Sequence, residues 1–401
     1  MTLRPQAWRR NQHVMAATVF VVYTGFAFVL PFLPLYVGEL GVARPDRAAL
    51  WAGVLIGVSP LLAGLVAPLW GRLADRHGQK PVVLRALAAY VVLLLLCAAV
   101  TDVLQLLALR MGIGLCGAVG PLGLSMATAA APREETGRAV GLVQAAQILA
   151  AAVGPLAGGV LADALGIRRS FIVTAALCAA AFALVALLYQ EAPRQAADAA
   201  PRGRLADALR LPQVGLLLLV LFLVNFIGRS FTPILPLHLL ELGLPERRVA
   251  SATGLLIAVY SLAAALSAAG LGRASRSRSP HGLLAAALLG GAVTVLPMAL
   301  VSSFGGFLGL AALLGLASGG ALTLCYTIGG LLVPEGQRAA CYGVFAGAAL
   351  FGGAVSPTVA GLLARFELRA IYFVDAALFL VLALIRPRPP RPGVAGIASS
   401  S

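Results

Sequence analysis

The chain has 401 residues, of which 60% are hydrophobic and only 11% are charged, and its mean hydropathy is +0.94. A soluble domain carries roughly 25% charged residues, so this composition excludes a soluble fold with a polar surface, and most of the outside must face lipid. Helices satisfy their backbone hydrogen bonds within each span, and the alternating pattern typical of membrane barrels does not occur. The composition therefore predicts an all-α integral membrane protein.

The net charge is +15, but the basic residues form short clusters between apolar runs rather than one patch. This distribution is a signal of membrane topology and argues against nucleic-acid binding. No Cys-x-x-Cys pair or histidine cluster occurs, so neither a metal, a cofactor nor a disulfide is expected. Reduced, buried thiols are predicted at Cys97, Cys116, Cys178, Cys325 and Cys341.

Twelve apolar runs have about the 20 residues needed to cross a hydrocarbon layer of about 30 Å. The first run follows a basic segment, but it stays apolar without a clear cleavage site, so it is interpreted as a retained span rather than a signal peptide. The runs cover 14–37, 49–70, 81–101, 104–130, 138–163, 170–189, 214–240, 249–271, 282–302, 304–332, 339–364 and 371–386.

Arginine and lysine positions predict the orientation in the membrane. With the amino terminus inside, the inner segments hold twenty basic residues, the outer loops hold eight, and two lie within spans. Both termini are therefore expected in the cytoplasm of a multi-pass protein of the cell membrane, and a monomer in contact with lipid is expected.

One long polar interval, 191–213, divides the spans into two groups of six. Its Ala, Pro and Arg content is typical of a linker. The predicted organisation is an amino-terminal six-helix bundle at 1–190, a cytoplasmic linker at 191–213, and a carboxyl-terminal six-helix bundle with a short cytoplasmic tail at 214–401.

The two groups of spans resemble each other at an offset of 202 residues. The sequence PFLPLYVGELG at 31–41 recurs as PILPLHLLELG at 233–243, and Gly141, Pro155, Gly159 and Phe171 recur as Gly343, Pro357, Gly361 and Phe373. Such a parallel repeat is expected where two pseudo-symmetric bundles rock around a central site. The repeat favours a transporter over a membrane-bound enzyme.

The loop between spans two and three reads GRLADRHGQKP and resembles the gating-loop signature of the major facilitator superfamily. Glycine permits a tight turn, and an aspartate can bond to a neighbouring helix amino end; an ordinary basic loop is the alternative. The resemblance implies the major facilitator fold and a gating role for Asp75 and Arg76, which would stabilise the outward-facing state. The counterpart in the second half has Ala274 in place of Asp75. The residues of the gating loop are Gly71, Arg72, Asp75, Arg76, Gly78 and Lys80.

The fifth span contains Gly154, Pro155, Gly158 and Gly159 in a GPxxGG pattern. This pattern resembles the signature of the antiporter branches of the same superfamily, although plain packing of small residues is an alternative. With the two prolines of LPFLPLYVGELG, the chain resembles the twelve-span drug:proton antiporters. That resemblance implies export of small lipophilic drugs or metabolites, with protons as the coupling ion.

Two arginines lie within predicted spans, where a charge costs at least about 2.5–3.5 kcal/mol at mid-span. Arg110, in span four, resembles the family's span-four arginine, which implies a cavity residue tuning a carboxylate; snorkelling outward is the alternative. Arg229, in span seven, lies one turn after Asn225 and is too deep to snorkel easily. It is interpreted as a cavity residue that pairs with an acid or contacts an anionic group of the substrate.

Carboxylates are scarce in the spans. Asp375 is the acid that lies clearly inside an apolar run, which makes it the first candidate for carrying a coupling proton, with Glu39 and Glu241 next. A structural pair with Arg369 or another nearby arginine is the alternative. Spans one and four lack the acids that many drug antiporters use there. Gln144 and Tyr326 are further candidates for the pathway.

No P-loop and no hydrolytic constellation of residues occurs, so neither ATP-driven transport nor an enzyme is expected. The first hypothesis is proton-coupled export of lipophilic compounds. The alternatives are a transporter for a specific solute or organic anion and, from another class, a membrane sensor that does not transport. Fold-level analogy does not identify the substrate.

Overall fold

A computed structural model describes residues 5–117, 119–128, 136–191, 212–333 and 338–385. Within these ranges the chain is helical, and no strand occurs. Nearly all of the predicted linker at 191–213 and the tail after residue 385 lie outside the described ranges.

The described part of the amino-terminal half contains eight α-helices that account for the first six predicted spans. Pro31 and Pro34 interrupt the first span because proline lacks an N–H and bends a helix, and a 3-10 turn covers Leu30–Phe32. The fourth span is also divided, after Leu115. The helices are α1 (Pro5–Ala27), α2 (Leu33–Glu39), α3 (Pro45–His77), α4 (Gln79–Ala99), α5 (Val103–Leu115), α6 (Val119–Thr128), α7 (Thr136–Leu165) and α8 (Ile167–Leu188).

In the carboxyl-terminal half, the residues that the structure describes also form eight α-helices. Pro233 and Pro236 interrupt its first span as Pro31 and Pro34 do in the other half, and a 3-10 turn at Leu296–Ala299 extends the third. The helices are α9 (Pro212–Ser230), α10 (Leu235–Glu241), α11 (Glu246–Ala274), α12 (Pro280–Val295), α13 (Phe304–Ser318), α14 (Ala321–Leu332), α15 (Arg338–Leu363) and α16 (Ala370–Ile385).

The predicted spans are confirmed as helical segments. Ten segments of the described chain are long and apolar enough to cross a membrane, and Val103–Leu115 and Ala370–Ile385 are shorter apolar helices at the predicted fourth and twelfth spans. The first helix begins at Pro5, earlier than the predicted start at residue 14. Composition predicted the apolar core of this span but not its polar first turns.

The two halves contact each other through a pseudo-symmetric pair of helix crossings, α7 with α11 and α3 with α15. A Cβ added at Gly254 would overlap the carbonyl oxygen of Pro155, and one added at Gly53 would overlap that of Pro357. One turn further along, Gly159 meets the carbonyl of Ala250, and Gly361 meets that of Ala49. Backbone therefore touches backbone at both crossings, which only glycine permits.

Both crossings lie at the same end of the molecule, here called the closed end. Gly159 and Gly361 are close to the last residues of α7 and α15, whereas Ala49 and Ala250 are close to the first residues of α3 and α11. Most of the predicted gating loop, residues 71–77, is helical and forms the last turns of α3 at its other end. The closed end is therefore opposite to the gating loop.

A carboxylate joins the halves at the closed end. The side chain of Asp163, on α7, accepts hydrogen bonds from the backbone N–H groups of Ala250 at 3.3 Å and Ser251 at 2.8 Å. At the other crossing, the hydroxyl of Thr358 donates to the carbonyl of Gly53 at 3.3 Å. Direct polar bonds thus reinforce the glycine contacts.

The structural repeat has an offset of 201 rather than 202 in the last span. Tyr36 packs against Phe171 with ring centroids 5.2 Å apart, and His238, at the position equivalent to Tyr36, packs against Tyr372 at 5.4 Å. Phe373, which sequence comparison pairs with Phe171, is 46% exposed. Matching buried contacts therefore pair Phe171 with Tyr372, and Thr174 with Asp375.

We expect Gly159→Leu to open the closed end. Forcing a larger side chain into a packed contact costs about 1–3 kcal/mol, which shifts a two-state equilibrium about 5- to 150-fold. Spin labels at the exposed residues Arg44 and Arg248 should report a longer distance between the halves. Gly141→Leu, in the same helix but with nothing within 4 Å of its added Cβ, is the control. Equal distances in both variants would contradict the packing account.

Candidate functional site

The carboxyl-terminal half contains a cavity of about 140 Å³ that is lined by residues of this half. Its wall is mostly apolar, with polar groups from α9, α11 and α13. Such a composition suits a small amphipathic ligand. The lining residues are Val224, Asn225, Ile227, Gly228, Arg229, Phe231, Tyr260, Ala264, Leu314, Ser318, Gly319, Leu322 and Phe379.

Among the described residues that line this wall, Arg229 alone has a charged side chain, and it is exposed. Its guanidinium interacts electrostatically with Tyr260 of the same half and with Tyr23 of α1. The Asn225 amide bonds to the carbonyl of Leu221 at 3.4 Å. Arg229 and Asn225, which the sequence places one helical turn apart, both line this cavity, and Tyr23 belongs to the other half.

Asp375, on α16, is fully buried beside this cavity. Its Oδ2 atom accepts a hydrogen bond of 2.5 Å from the hydroxyl of Ser230, and among the described residues Oδ1 has no hydrogen-bond partner. Tyr260, which lines the cavity, interacts electrostatically with Asp375 as well as with Arg229. A hydroxyl therefore stabilises Asp375, and no cation is bonded to it in the described part of the chain.

The predicted alternative, a pair between Asp375 and Arg369, is not the contact that the structure shows. Arg369 donates to the carbonyl of Ala299 at 3.2 Å and lies 4.0 Å from Glu241. Both Arg369 and Glu241 are at least one-third exposed at their side chains, so this ion pair is worth little.

Arg110 lies inside the amino-terminal bundle and is only 3% exposed. Its Nε donates to the carbonyl of Leu55 at 3.0 Å, and its own carbonyl accepts from the hydroxyl of Ser59 at 2.7 Å. Pro60 bends α3 at this point because it lacks an N–H. Arg110 thus connects α5 to α3 near Pro60 and is not at an outer interface. Among the described residues, no carboxylate is bonded to it.

The gating loop is attached to its own half. Gly78 has φ +92°, which favours glycine. Lys80 donates to the carbonyls of Ala186 at 2.9 Å and Tyr189 at 2.8 Å. Both carbonyls lie at the carboxyl end of α8, where the helix dipole favours a positive charge. Asp75 and Arg76 are exposed, as is Arg72, and Asp75 has no bonded partner among the described residues. Gly71 has open space around it.

The four residues of the GPxxGG pattern lie at helix contacts. Gly154 contacts Ala27, the last residue of α1, and Gly158 contacts the backbone of Phe28, which directly follows that helix. Pro155 and Gly159 contact α11 of the other half, as described above. This face of α7 therefore connects α1 to the crossing between the halves.

The remaining predicted pathway residues are dispersed. Glu39 lies at the closed end, on the wall of a second cavity of about 470 Å³ between the halves. Gln144 is exposed on α7. Tyr326, on α14, stacks on Tyr342 with ring centroids 6.0 Å apart and does not line the 140 Å³ cavity. In the described part of the chain, none of the three contacts Arg229 or Asp375.

Sequence reasoning missed three residues beside Asp375: Ser230, Tyr372 and His238. Each had a sequence signal. Ser230 follows Arg229 directly, Tyr372 lies one turn before Asp375, and His238 replaces the Tyr36 of the repeat. The hydroxyl of Tyr372 lies 3.1 Å from Nδ1 of His238, and both residues are fully buried.

A sequence profile of the Major Facilitator Superfamily matches residues 15–305 and 250–399. The chain belongs to this superfamily. It is 33% identical over 308 residues to the multidrug resistance protein MdtG of Yersinia enterocolitica, covering 76% of this chain and 74% of that protein. It is 31% identical over 401 residues to MdtG of Serratia proteamaculans, covering 96% of each.

Solved structures share the fold. A bacterial homologue of the human lysosomal transporter Spinster, in an inward-facing and occupied conformation, superimposes with a TM-score of 0.80 at 17% identity, covering 96% of this chain and 97% of that one. The human organic anion transporter MFSD10 gives 0.64 at 18% identity, covering 96% and 100%. The chain is therefore a multi-pass membrane transporter of the superfamily and not an enzyme.

We expect Arg110→Met to destabilise the transporter. Methionine fills a similar volume but removes the guanidinium's hydrogen bond to the Leu55 carbonyl, and a hydrogen bond from a charged group contributes about 1.5–3 kcal/mol. The melting temperature of the purified protein in detergent measures the loss. Arg110→Lys retains a donor and should lose less. A variant as stable as the wild type would mean that the bond contributes nothing in this state.

Proposed function

We propose that this transporter exports small lipophilic compounds in exchange for protons by alternating access. The observation that carries the proposal is a buried carboxyl group, Asp375, on the helix that also contributes Phe379 to the wall of a mostly apolar cavity. The resemblance to MdtG proteins supports multidrug export. A carboxyl group in this setting can hold a proton at one stage of a cycle and release it at another.

The arrangement of the halves corresponds to an inward-facing state in this proposal. The glycine crossings and the bonds of Asp163 hold the halves together at the end opposite to the gating loop. The excess of basic residues assigns the gating-loop end to the cytoplasm, together with both termini. The cavity would then open to the cytoplasm and collect substrate there.

The exposed Asp75 fits the same cycle. In the inward-facing state it has no partner among the described residues, so it is available to bond to the carboxyl-terminal half when the cytoplasmic side closes. A carboxylate stabilises a helix amino end by about 0.3–1 kcal/mol at the surface. Asp75 would thereby favour the outward-facing state without contacting substrate.

A second candidate is a transporter of organic anions. Arg229 supports it because its exposed guanidinium gives the cavity wall an accessible positive charge. Asp375 is buried and bonded to Ser230, and it makes no bond with this guanidinium. Such a wall attracts a carboxylate, sulfonate or phenolate group. Transport of a cationic and of an anionic dye therefore distinguishes the two candidates.

Transport in proteoliposomes tests the proposal. We expect an imposed pH gradient to drive movement of rhodamine 6G, a lipophilic cation, and lumenal pH to change with it; movement of sulforhodamine B instead favours the organic-anion candidate. Asp375→Asn should abolish the pH dependence, because the amide cannot take up the proton. Ser230→Ala, which removes the bonded hydroxyl but keeps the acid, is the control.

Two results would contradict this assignment. If neither dye moves and lumenal pH stays constant, the drug:proton function is wrong. If Asp375→Asn retains full pH dependence, the coupling proton lies elsewhere.

We expect Asp75→Ala to lower turnover while substrate binding changes little, since Asp75 would act on the equilibrium between states. Initial rates in proteoliposomes and the dissociation constant of the transported dye in detergent measure the two effects. Glu367→Ala, which also removes an exposed carboxylate but not on the gating loop, is the control. Unchanged transport by Asp75→Ala would remove the gating role.

A further inference from the structure

We infer that Asp163 is a latch of the closed end, which the transporter releases in each cycle to open the side opposite to the gating loop. The inference rests on the alternating access proposed above and extends it by naming the group that holds this end shut. It is carried by hydrogen bonds that one side chain makes across the two halves.

The carboxylate of Asp163 bonds to the other half through both of its oxygen atoms. Oδ1 accepts from the backbone N–H of Ala250 at 3.3 Å, and Oδ2 accepts from that of Ser251 at 2.8 Å. Both N–H groups lie near the amino end of α11, which begins at Glu246 and where the helix dipole favours a negative charge. Hydrogen bonds to an ionised acceptor are stronger than those between neutral groups. Asp163 therefore joins the halves by two charge-assisted bonds.

The latch depends on the glycine contact next to it. Asp163 lies one helical turn after Gly159, on the same face of α7. A Cβ added at Gly159 would meet the carbonyl of Ala250 and the Cα of Ser251, so the same two residues of α11 receive both the glycine and the carboxylate. A hydrogen bond is lost beyond about 3.5 Å. A small separation of α7 from α11 therefore breaks both bonds together.

The repeat shows that packing of the halves does not by itself require this acid. In the carboxyl-terminal half, Gly361 makes the equivalent backbone contact with α3, but the residue one turn later is Arg365, which is exposed. The gating loop has the same asymmetry, because Ala274 stands at the position equivalent to Asp75. The crossing of α15 with α3 thus forms without a carboxylate, so Asp163 adds a polar hold to a contact that packs without one.

A cavity of about 470 Å³ beside Asp163 makes release of the latch possible. Glu39 of the same half lines this cavity with Asp163, and Glu246 and Arg247 line it from the other half. A polar cavity of this size has room for water, so a released carboxylate would be hydrated rather than buried without a partner. Glu246 also repels the two acids of the other half, and Arg247 offsets part of that repulsion. The latch is therefore opposed by its surroundings and is not a permanent lock.

The test measures the distance between spin labels at Arg47 and Arg365 in the full-length transporter in lipid nanodiscs. Both residues are exposed and lie beside the crossing of α3 with α15, away from Asp163. Asp163→Asn keeps the volume of the side chain but replaces one acceptor oxygen with an NH₂ group. Because a hydrogen bond to a charged group shifts an equilibrium about tenfold or more, we expect the ratio of long to short distances to rise by about that factor. Asp163→Ala should have the same effect.

Glu39→Gln is the matched control. It also neutralises an acid of this cavity, but among the described residues Glu39 has no hydrogen bond to the other half. We expect this variant not to raise the ratio of long to short distances, because it removes repulsion and no attraction. An increase as large as that of Asp163→Asn would mean that loss of charge in the cavity, rather than loss of the two bonds, opens this end.

The outcomes separate the latch from the function it rests on. If neither the wild type nor any variant shows the long distance, with or without rhodamine 6G, this end does not open and alternating access fails. If rhodamine 6G produces the long distance in the wild type while both variants of Asp163 keep the wild-type ratio, the latch is wrong and alternating access stands. A lower melting temperature with an unchanged ratio would also overturn the latch, since Asp163 would then stabilise the fold without acting on the opening.

Discussion

Backbone contact between the two halves is the constraint on which the rest of the structure depends. At each crossing a proline carbonyl meets a glycine of the other half, Pro155 with Gly254 and Pro357 with Gly53. These contacts bring the helices closer than side chains allow, and direct hydrogen bonds from Asp163 and Thr358 reinforce them. Because both crossings lie at one end, the alternating access that we propose would require the halves to hinge there.

The two halves share a fold but differ in chemistry. In the amino-terminal half, the buried polar groups near the repeat, such as Tyr36 and Thr174, donate to backbone carbonyls and so stabilise helix packing. In the carboxyl-terminal half, the equivalent positions hold His238 and Asp375, which retain unpaired atoms. The buried polar groups of the amino-terminal half thus serve packing, whereas those of the carboxyl-terminal half have atoms left for the proton exchange that we propose.

Arg110 illustrates how the surroundings of a charged residue within a span decide its structural role. A guanidinium in a span is costly unless its donors are satisfied. Next to Pro60, which bends α3, the carbonyl of Leu55 accepts from Arg110. The same residue type at position 229 lies on a cavity wall, where a substrate or a tyrosine can meet it. Spacing alone does not distinguish these two settings.

The sequence alone determined the helical spans, their division into two groups, and the family, because apolar run length, the repeat and the GRLADRHGQKP loop are local patterns. It also made Asp375 and Arg229 candidates for functional residues, since a charge in an apolar run is costly and needs an explanation. Only the tertiary structure decided that Ser230 rather than Arg369 bonds to Asp375, that the last span is offset by 201, and that His238 meets Tyr372. These contacts join residues more than 130 positions apart, and the rotation of α16 against α9 and α10, which sets them, depends on packing that no local pattern encodes.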